Sequence, residues 1–127
     1  MRSMFDTELT SEILSQIEGA ISIVRTRFSV IQSMNDFLDT PEGLEKLDSI
    51  CMKLIAIGES VKNIDKHTAG QLLLKYPDVD WKGVKGVRDI ISHHYFDLDA
   101  EEIFNICQTH LPELHTTVKR MITDLKT

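Results

Sequence analysis

Arg88, His93 and Tyr95 stand together in the run Arg88-Asp89-Ile90-Ile91-Ser92-His93-His94-Tyr95. An arginine is always charged and can fork onto a phosphate. A histidine takes or gives a proton near neutral pH. Together they can cleave RNA without a metal. The imidazole would assist attack by the ribose 2′-hydroxyl or protonation of the leaving oxygen, and the guanidinium would stabilise charge on the phosphate. Asp89, Ser92 and His94 are neighbours able to support that chemistry. Lys82 and Lys85 recur with Arg88 at three-residue spacing and are candidate contacts for an RNA backbone. Each residue also has a plainer reading. Arg88 could pair with a carboxylate, His93 could be a helix C-terminal residue favoured by the dipole, and Tyr95 could sit at the edge of the core. The lysine stripe could be a solvated helix face.

Spacing constrains the element that carries these groups. Five residues of ideal helix turn about 500°, so positions 88 and 93 lie roughly 140° apart, whereas position 95 returns to within about 20° of position 88. The site therefore needs a helix that ends or distorts near Ser92, or two walls of one cleft, which a second copy of the chain could close.

The surrounding pattern is helical. Apolar residues at steps of three or four run from Phe5 through Leu9, Ile13, Ile17, Ile21, Val24, Phe28, Ile31 and Met34 to Leu38, predicting one amphipathic helix roughly 48 Å long. Thr40-Pro41-Glu42 starts a second helix, with Thr40 as cap and Pro41 at the first position. Its stripe runs from Leu44 to Ile64 and contains Gly58, which a close helix crossing or a local bend would explain. Leu72-Leu73-Leu74 suggests a short helix before Pro77. Asp80 should cap a third helix with Val84, Val87 and Ile91 inward. Asp99 with Glu102 looks like a capping box, flanked by a Leu98–Ile103 staple. The fourth stripe, from Ile103 to Leu125, should kink near His110 because Pro112 interrupts it. The expected fold is all-α, an up-and-down bundle of four to five helices, forming a single domain over 1–127.

Bulk properties narrow the function. The chain has 127 residues, 42% hydrophobic and 27% charged, enough for one core without staples. The net charge of −6 argues against a broad electrostatic grip on nucleic acid, so any RNA contact must be local. No apolar run is long enough to span a membrane, and the N-terminus lacks a signal-peptide pattern, so a cytoplasmic location is expected. Cys51 and Cys107 read as reduced core thiols. His93, His94, Asp97 and Asp99 fit no common zinc spacing, and no metal or cofactor is expected. His67, His110 and His115 read as surface or helix-end residues. There is no Gly-rich phosphate loop, GxSxG elbow or Cys/His protease pattern.

In these residues the sequence resembles the HepT-like family of the HEPN superfamily, whose R-x4-H-x-Y signature is matched by Arg88, His93 and Tyr95. Ile57-Gly58-Glu59 with Val61-Lys62-Asn63 looks like the family's I-G-E-A-x-x-N segment. Asp80-Trp81, Gly86-Val87-Arg88-Asp89, Tyr95-Phe96-Asp97-Leu98-Asp99 and Leu111-Pro112-Glu113-Leu114 follow in the family's order. Two positions depart: Asp89 stands where Asn is frequent, and His94 where Gly is. The resemblance implies a homodimer with the motif in a cleft between protomers. It implies a metal-independent endoribonuclease toxin with Arg88 and His93 catalytic. It also implies a nucleotidyltransferase antitoxin that inactivates the toxin by AMPylation of Tyr95. The alternative is a non-catalytic helical binding subunit of a nucleotidyltransferase complex.

Overall fold

A computed structural model describes residues 6–93 and 99–127, with His93 as backbone only. Among the described residues all regular structure is helical, and the all-α bundle expected from the periodicity is present. The Leu98–Ile103 staple, His94 and Tyr95 lie outside the described residues, as does part of the His93/His94/Asp97/Asp99 set.

Helix α1 spans Thr7–Phe28. The Asp6 carboxylate opens it by accepting the Leu9 N–H at 3.0 Å. Its buried face is Thr10, Leu14, Ile17, Ile21 and Val24, while Leu9 is exposed. The 48 Å rod expected from the stripe does not form, because the helix stops at Phe28. The Ser29 hydroxyl donates to the Thr26 carbonyl at 2.6 Å, and the Asp36 carboxylate accepts the Gln32 N–H at 2.7 Å. These local bonds compete with the helical ladder, and the β-branched pair Val30-Ile31 favours the break. A short helix α2 (Asn35–Leu38) follows. Ile31 and Phe37 are nonetheless buried, and the Phe28 and Phe37 rings lie 6.1 Å apart. The stripe thus continued across the break because it records burial, not helical continuity.

Helix α3 spans Pro41–His67 and begins as expected, with the Thr40 hydroxyl accepting the Gly43 N–H at 2.9 Å. Leu47, Ile50, Cys51, Leu54, Ile57, Val61 and Ile64 form its buried face; Leu44 is exposed despite its place on the stripe. Helix α3 packs against α1, α2 and the segment that carries Arg88. Gly58 is where that packing is tightest: a Cβ there would lie 2.8 Å from the Val84 carbonyl oxygen and 2.9 Å from Val87 Cγ1. This is the close crossing, not a bend.

After α3 the chain reverses through Ala69 (φ 51°) and Gly70 (φ 74°), both left-handed. A 3₁₀ turn at Leu73–Lys75 matches the short helix expected there. Tyr76 then ties the loop to the C-terminal helix, its hydroxyl donating to Asp124 at 2.6 Å. Burial and the Asp124 carboxylate push the Tyr76 phenol up to about 12. The Trp81 indole donates to the Tyr76 carbonyl at 2.8 Å.

The expected third helix is two helices, α4 (Trp81–Lys85) and α5 (Val87–His93). Asp80 caps α4 through the Gly83 N–H at 3.0 Å. The break falls at Gly86 (φ −90°, ψ 0°), whose N–H serves both the Lys82 and Gly83 carbonyls. Those dihedrals lie in the sparsely populated bridge region between helix and turn. Val87 and Ile91 still reach the core, as their spacing required.

Asp99 caps α6 (Ala100–Asn105) through the Glu102 N–H at 3.1 Å. A π-helical turn at Ile106–His110 links α6 to α7 (Leu111–Lys126). The interruption expected at Pro112 therefore takes this form: proline offers no N–H to the carbonyl four residues back, and a wider turn accommodates the gap. Cys51 and Cys107 are both buried free thiols. Burial raises them to about 11 and about 12, with smaller contributions from Asp48 on Cys51 and from Cys51 on Cys107.

Two glycines test the crossing. Gly58→Ala should destabilise the fold by about 1–3 kcal/mol, because the backbone of α4 must move. Gly19→Ala in α1, where a Cβ meets nothing within 4 Å, should instead stabilise by about 0.5–1 kcal/mol. Urea denaturation of both variants measures the contrast, and equal effects would show that the crossing is not tight.

Candidate active site

The expected site residues belong mainly to α4 and α5. Arg88 is the second residue of α5, directly after Val87, which packs on Gly58 of α3. With Val87 and Ile91 turned inward, Arg88, Asp89 and Ser92 are exposed. The Arg88 side chain is 57% exposed and its Nη1 donates to Glu59 Oε1 of α3 at 3.1 Å. The carboxylate pairing considered for Arg88 is thus present. A guanidinium has five N–H donors, so most of its hydrogen-bonding capacity remains beyond this contact.

Glu59 also meets the Lys62 ammonium, with Nζ 2.9 Å from Oε2. Oε2 itself is buried and lacks a well-directed hydrogen bond, so this contact is chiefly ionic. The Lys62 ammonium above all, opposed by burial and aided to a lesser degree by Arg88, holds the Glu59 carboxyl below its ordinary pKa. Lys62, Glu59 and Arg88 therefore form a chain of alternating charge across α3 and α5.

The other two members of the basic stripe differ. Lys82 is exposed on α4. Lys85 is half-buried and pairs with Asp65 of α3 at 3.0 Å. Two ion pairs, Asp65–Lys85 and Glu59–Arg88, thus stitch α3 to the motif segment. Sequence reasoning found the cations but assigned no role to either carboxylate. The detectable signal was Gly58: once it marks a crossing, its neighbour Glu59 must face whatever crosses there.

Helix α5 runs through Ser92 to His93. Over that described span a regular helix sets positions 88 and 93 about 140° apart. Tyr95 and His94 lie outside the described residues, and so does the His93 side chain.

A cavity of about 450 Å³ lies on the inner side of α5. Ile57, Val84, Val87 and Ile90 give it an apolar floor, and Glu102 and Glu113 contribute acidic rim positions. Among its described lining residues there is no lysine or arginine, so it is poorly matched to a phosphodiester. Arg88 is on the exposed side of α5. Among the described residues no three His, Cys, Asp or Glu side chains group to hold a metal ion.

A second polar cluster corrects one expectation. His115 is not a surface residue: it is 6% exposed and lies between α7 and α1. Arg25 Nη1 is 2.9 Å from its Nδ1, Glu18 Oε2 is 2.7 Å from its Nε2, and Ser22 Oγ is 3.4 Å from Nε2. Arginine can only donate, so Nδ1 accepts and Nε2–H donates to Glu18. The Ser22 hydroxyl first, and His115 second, hold the Glu18 carboxyl below its ordinary value. These polar groups satisfy one another, which suits a structural clamp. Position 115 follows Leu114 on the buried face of α7, which is why its surroundings differ from those of the exposed His67 and His110.

The all-α fold agrees with what the chain is similar to. Residues 13–121 match the ribonuclease HepT-like family, and the chain belongs to it. Among curated relatives, a protein of Methanocaldococcus jannaschii bearing an RNase name is 27% identical over 108 residues, covering 78% of this chain and 86% of that protein. A second RNase-named protein of the same organism is 26% identical over 108 residues, with the same coverage. An RNase-named protein of Caldanaerobacter subterraneus subsp. tengcongensis is 35% identical over 66 residues, 52% of this chain and 55% of that protein. No solved structure matches the chain. Among the described residues no helix is long and apolar enough to cross a membrane.

The His115 clamp makes a pH-dependent prediction. The Glu18 carboxyl has a folded pKa below its ordinary 4.5, so its stabilisation is complete above that value and is lost as pH falls through the lowered one. Glu18→Gln should therefore melt below wild type at pH 7, and the difference should shrink as pH falls below 4. A melting difference that stays constant from pH 7 to pH 3 would contradict it.

Proposed function

We propose that this chain is a metal-independent endoribonuclease toxin acting as one domain over 1–127, with Arg88 and His93 as its catalytic residues. The observation that carries this reading is the exposed Arg88 guanidinium, held at the start of α5 within the R-x4-H-x-Y signature of a ribonuclease family. In the reaction the ribose 2′-oxygen bonds to phosphorus and the bond to the leaving 5′-oxygen breaks. His93 moves the proton at one end of the displacement, from the 2′-hydroxyl or to the leaving oxygen, and water exchanges the proton at the other end. Arg88 stabilises the negative charge that develops on the phosphoryl oxygens. Lys82 contacts a flanking phosphate, and Lys85 can do so only by sharing its charge with Asp65. Asp89, Ser92 and His94 support the site.

With positions 88 and 93 about 140° apart on α5, a homodimer in which a second copy supplies the opposite wall completes the site. Control is by a nucleotidyltransferase antitoxin that transfers AMP from ATP to the Tyr95 hydroxyl, which loses its proton as pyrophosphate leaves. The added phosphate is an anion for Arg88 and, with its nucleoside, blocks the RNA path. The RNA substrate makes the cytoplasm the place of action.

A second reading is a non-catalytic subunit that docks a nucleotidyltransferase. The ion pairs favour it: Arg88 and Lys85 already face carboxylates, in a protein of net charge −6.

Protein made without its partner and assayed on RNA in a chelator separates the two. The enzyme reading expects cleavage by wild type and losses of about 100-fold or more for Arg88→Ala and His93→Ala. Co-expression with the nucleotidyltransferase should add AMP to Tyr95, seen as an intact-mass increment absent from Tyr95→Phe. Equal cleavage by wild type and both alanine variants would remove Arg88 and His93 from the chemistry.

A further inference from the structure

We propose that Glu59 is the positioning residue for Arg88, fixing its guanidinium so that the edge turned away from α3 meets the phosphate. This inference rests on the reading of Arg88 as catalytic and assigns the group that makes it effective. Three observations converge on it. First, both ends of the pair sit beside one rigid contact. Glu59 follows Gly58 and Arg88 follows Val87, and Gly58 and Val87 are pressed together so closely that a Cβ at 58 would stand 2.9 Å from Val87 Cγ1. The backbones that carry the two side chains therefore cannot drift apart without unpacking the core.

Second, the contact leaves the arginine usable. Glu59 Oε1 takes Nη1 at 3.1 Å, and the Arg88 side chain is still 57% exposed. An arginine in water samples many rotamers, and a planar fork already held at one nitrogen loses less freedom when it binds an oxyanion.

Third, the carboxylate is itself restrained. Lys62 Nζ lies 2.9 Å from Oε2, on the opposite oxygen from Arg88. Alone, Glu59 would repel the phosphate that Arg88 attracts. With Lys62 beside it, the trio carries a single positive charge, so orientation is gained without making the site anionic. Like any glutamate with a pKa at or below the ordinary value, Glu59 is ionised at neutral pH.

The test combines RNA cleavage kinetics with a direct view of Arg88. Glu59→Ala should lower kcat by about tenfold to about 100-fold with little change in KM, and Glu59→Gln, which keeps an acceptor, should recover part of the loss. Melting temperatures should stay within about 3 °C of wild type, because an exposed pair contributes little stability. In an Arg88→Ala background, Glu59→Ala should have no further effect. The Arg88 side-chain N–H resonances, assigned by their loss in Arg88→Ala, should shift and broaden in Glu59→Ala.

Wild-type activity in Glu59→Ala beside an inactive Arg88→Ala overturns the positioning role while leaving the catalytic role of Arg88 intact. An additive loss in the double variant shows that Glu59 acts independently of Arg88 and also overturns it. Unchanged Arg88 resonances in Glu59→Ala overturn it whether or not the protein cleaves RNA. Full activity in Arg88→Ala rejects the underlying reading instead.

Discussion

The position of α5 depends on the absence of a side chain at residue 58. With hydrogen there, α3 can approach the Val84 carbonyl and Val87 so closely that a methyl group would overlap both. Such an approach fixes the distance between α3 and the start of α5, because a close-packed contact cannot shift without moving backbone. Once Val87 is inward, Arg88 has to project from the bundle. The two ion pairs flanking the crossing, Glu59–Arg88 and Asp65–Lys85, can each be broken by solvent at modest cost. The packed glycine cannot yield without moving backbone, so the ion pairs follow from the crossing, not the reverse.

The charge distribution makes the site selective about what it attracts. A protein of net charge −6 draws a polyanion weakly at long range. Close to α5 the balance reverses only locally, at Lys82, Lys85 and Arg88, and two of these already face a carboxylate. On the inner side of the same helix the cavity has acidic rim positions and an apolar floor. Among the described residues a phosphodiester is better matched to the exposed side of α5 than to this cavity. Under the proposed function, specificity for a particular phosphate would come from geometry at Arg88 more than from counterion release along a long tract.

Local signals in the sequence located the helix starts well. Thr40, Asp80 and Asp99 all accept the N–H three residues on, because a cap needs only its own neighbours. Continuity was harder to read. The stripe from Phe5 to Leu38 and the one from Val84 to Ile91 each cross a break, since Ile31, Phe37 and Val87 return to the same core after the chain has turned. Apolar spacing records which side chains are buried; the breaks at Ser29 and Gly86 depend on hydroxyl, carboxylate and glycine backbone geometry that spacing does not contain. His115 was harder still, because its partners Glu18, Ser22 and Arg25 lie 90 to 97 residues away. For the site, the cations were legible as a stripe and the signature as a family resemblance. The role of Glu59 was not, because it exists only where α3 and α5 cross.

That crossing also limits what one copy of the chain can do. Helix α5 continues to His93, and a regular helix sets positions 88 and 93 about 140° apart. A phosphate seated on the Arg88 side therefore meets position 93 only by reaching around the helix. The bundle cannot relieve this by rotating α5, because the Gly58 contact fixes Val87 and with it Arg88. If both residues act on one phosphodiester, the substrate must pass the C-terminal end of α5 or a second copy must bring its own α5 to face the first. In the second arrangement each Arg88 would need to be held firmly by its own chain before the copies meet. A carboxylate on the neighbouring helix, neutralised by its own lysine, is well suited to holding it.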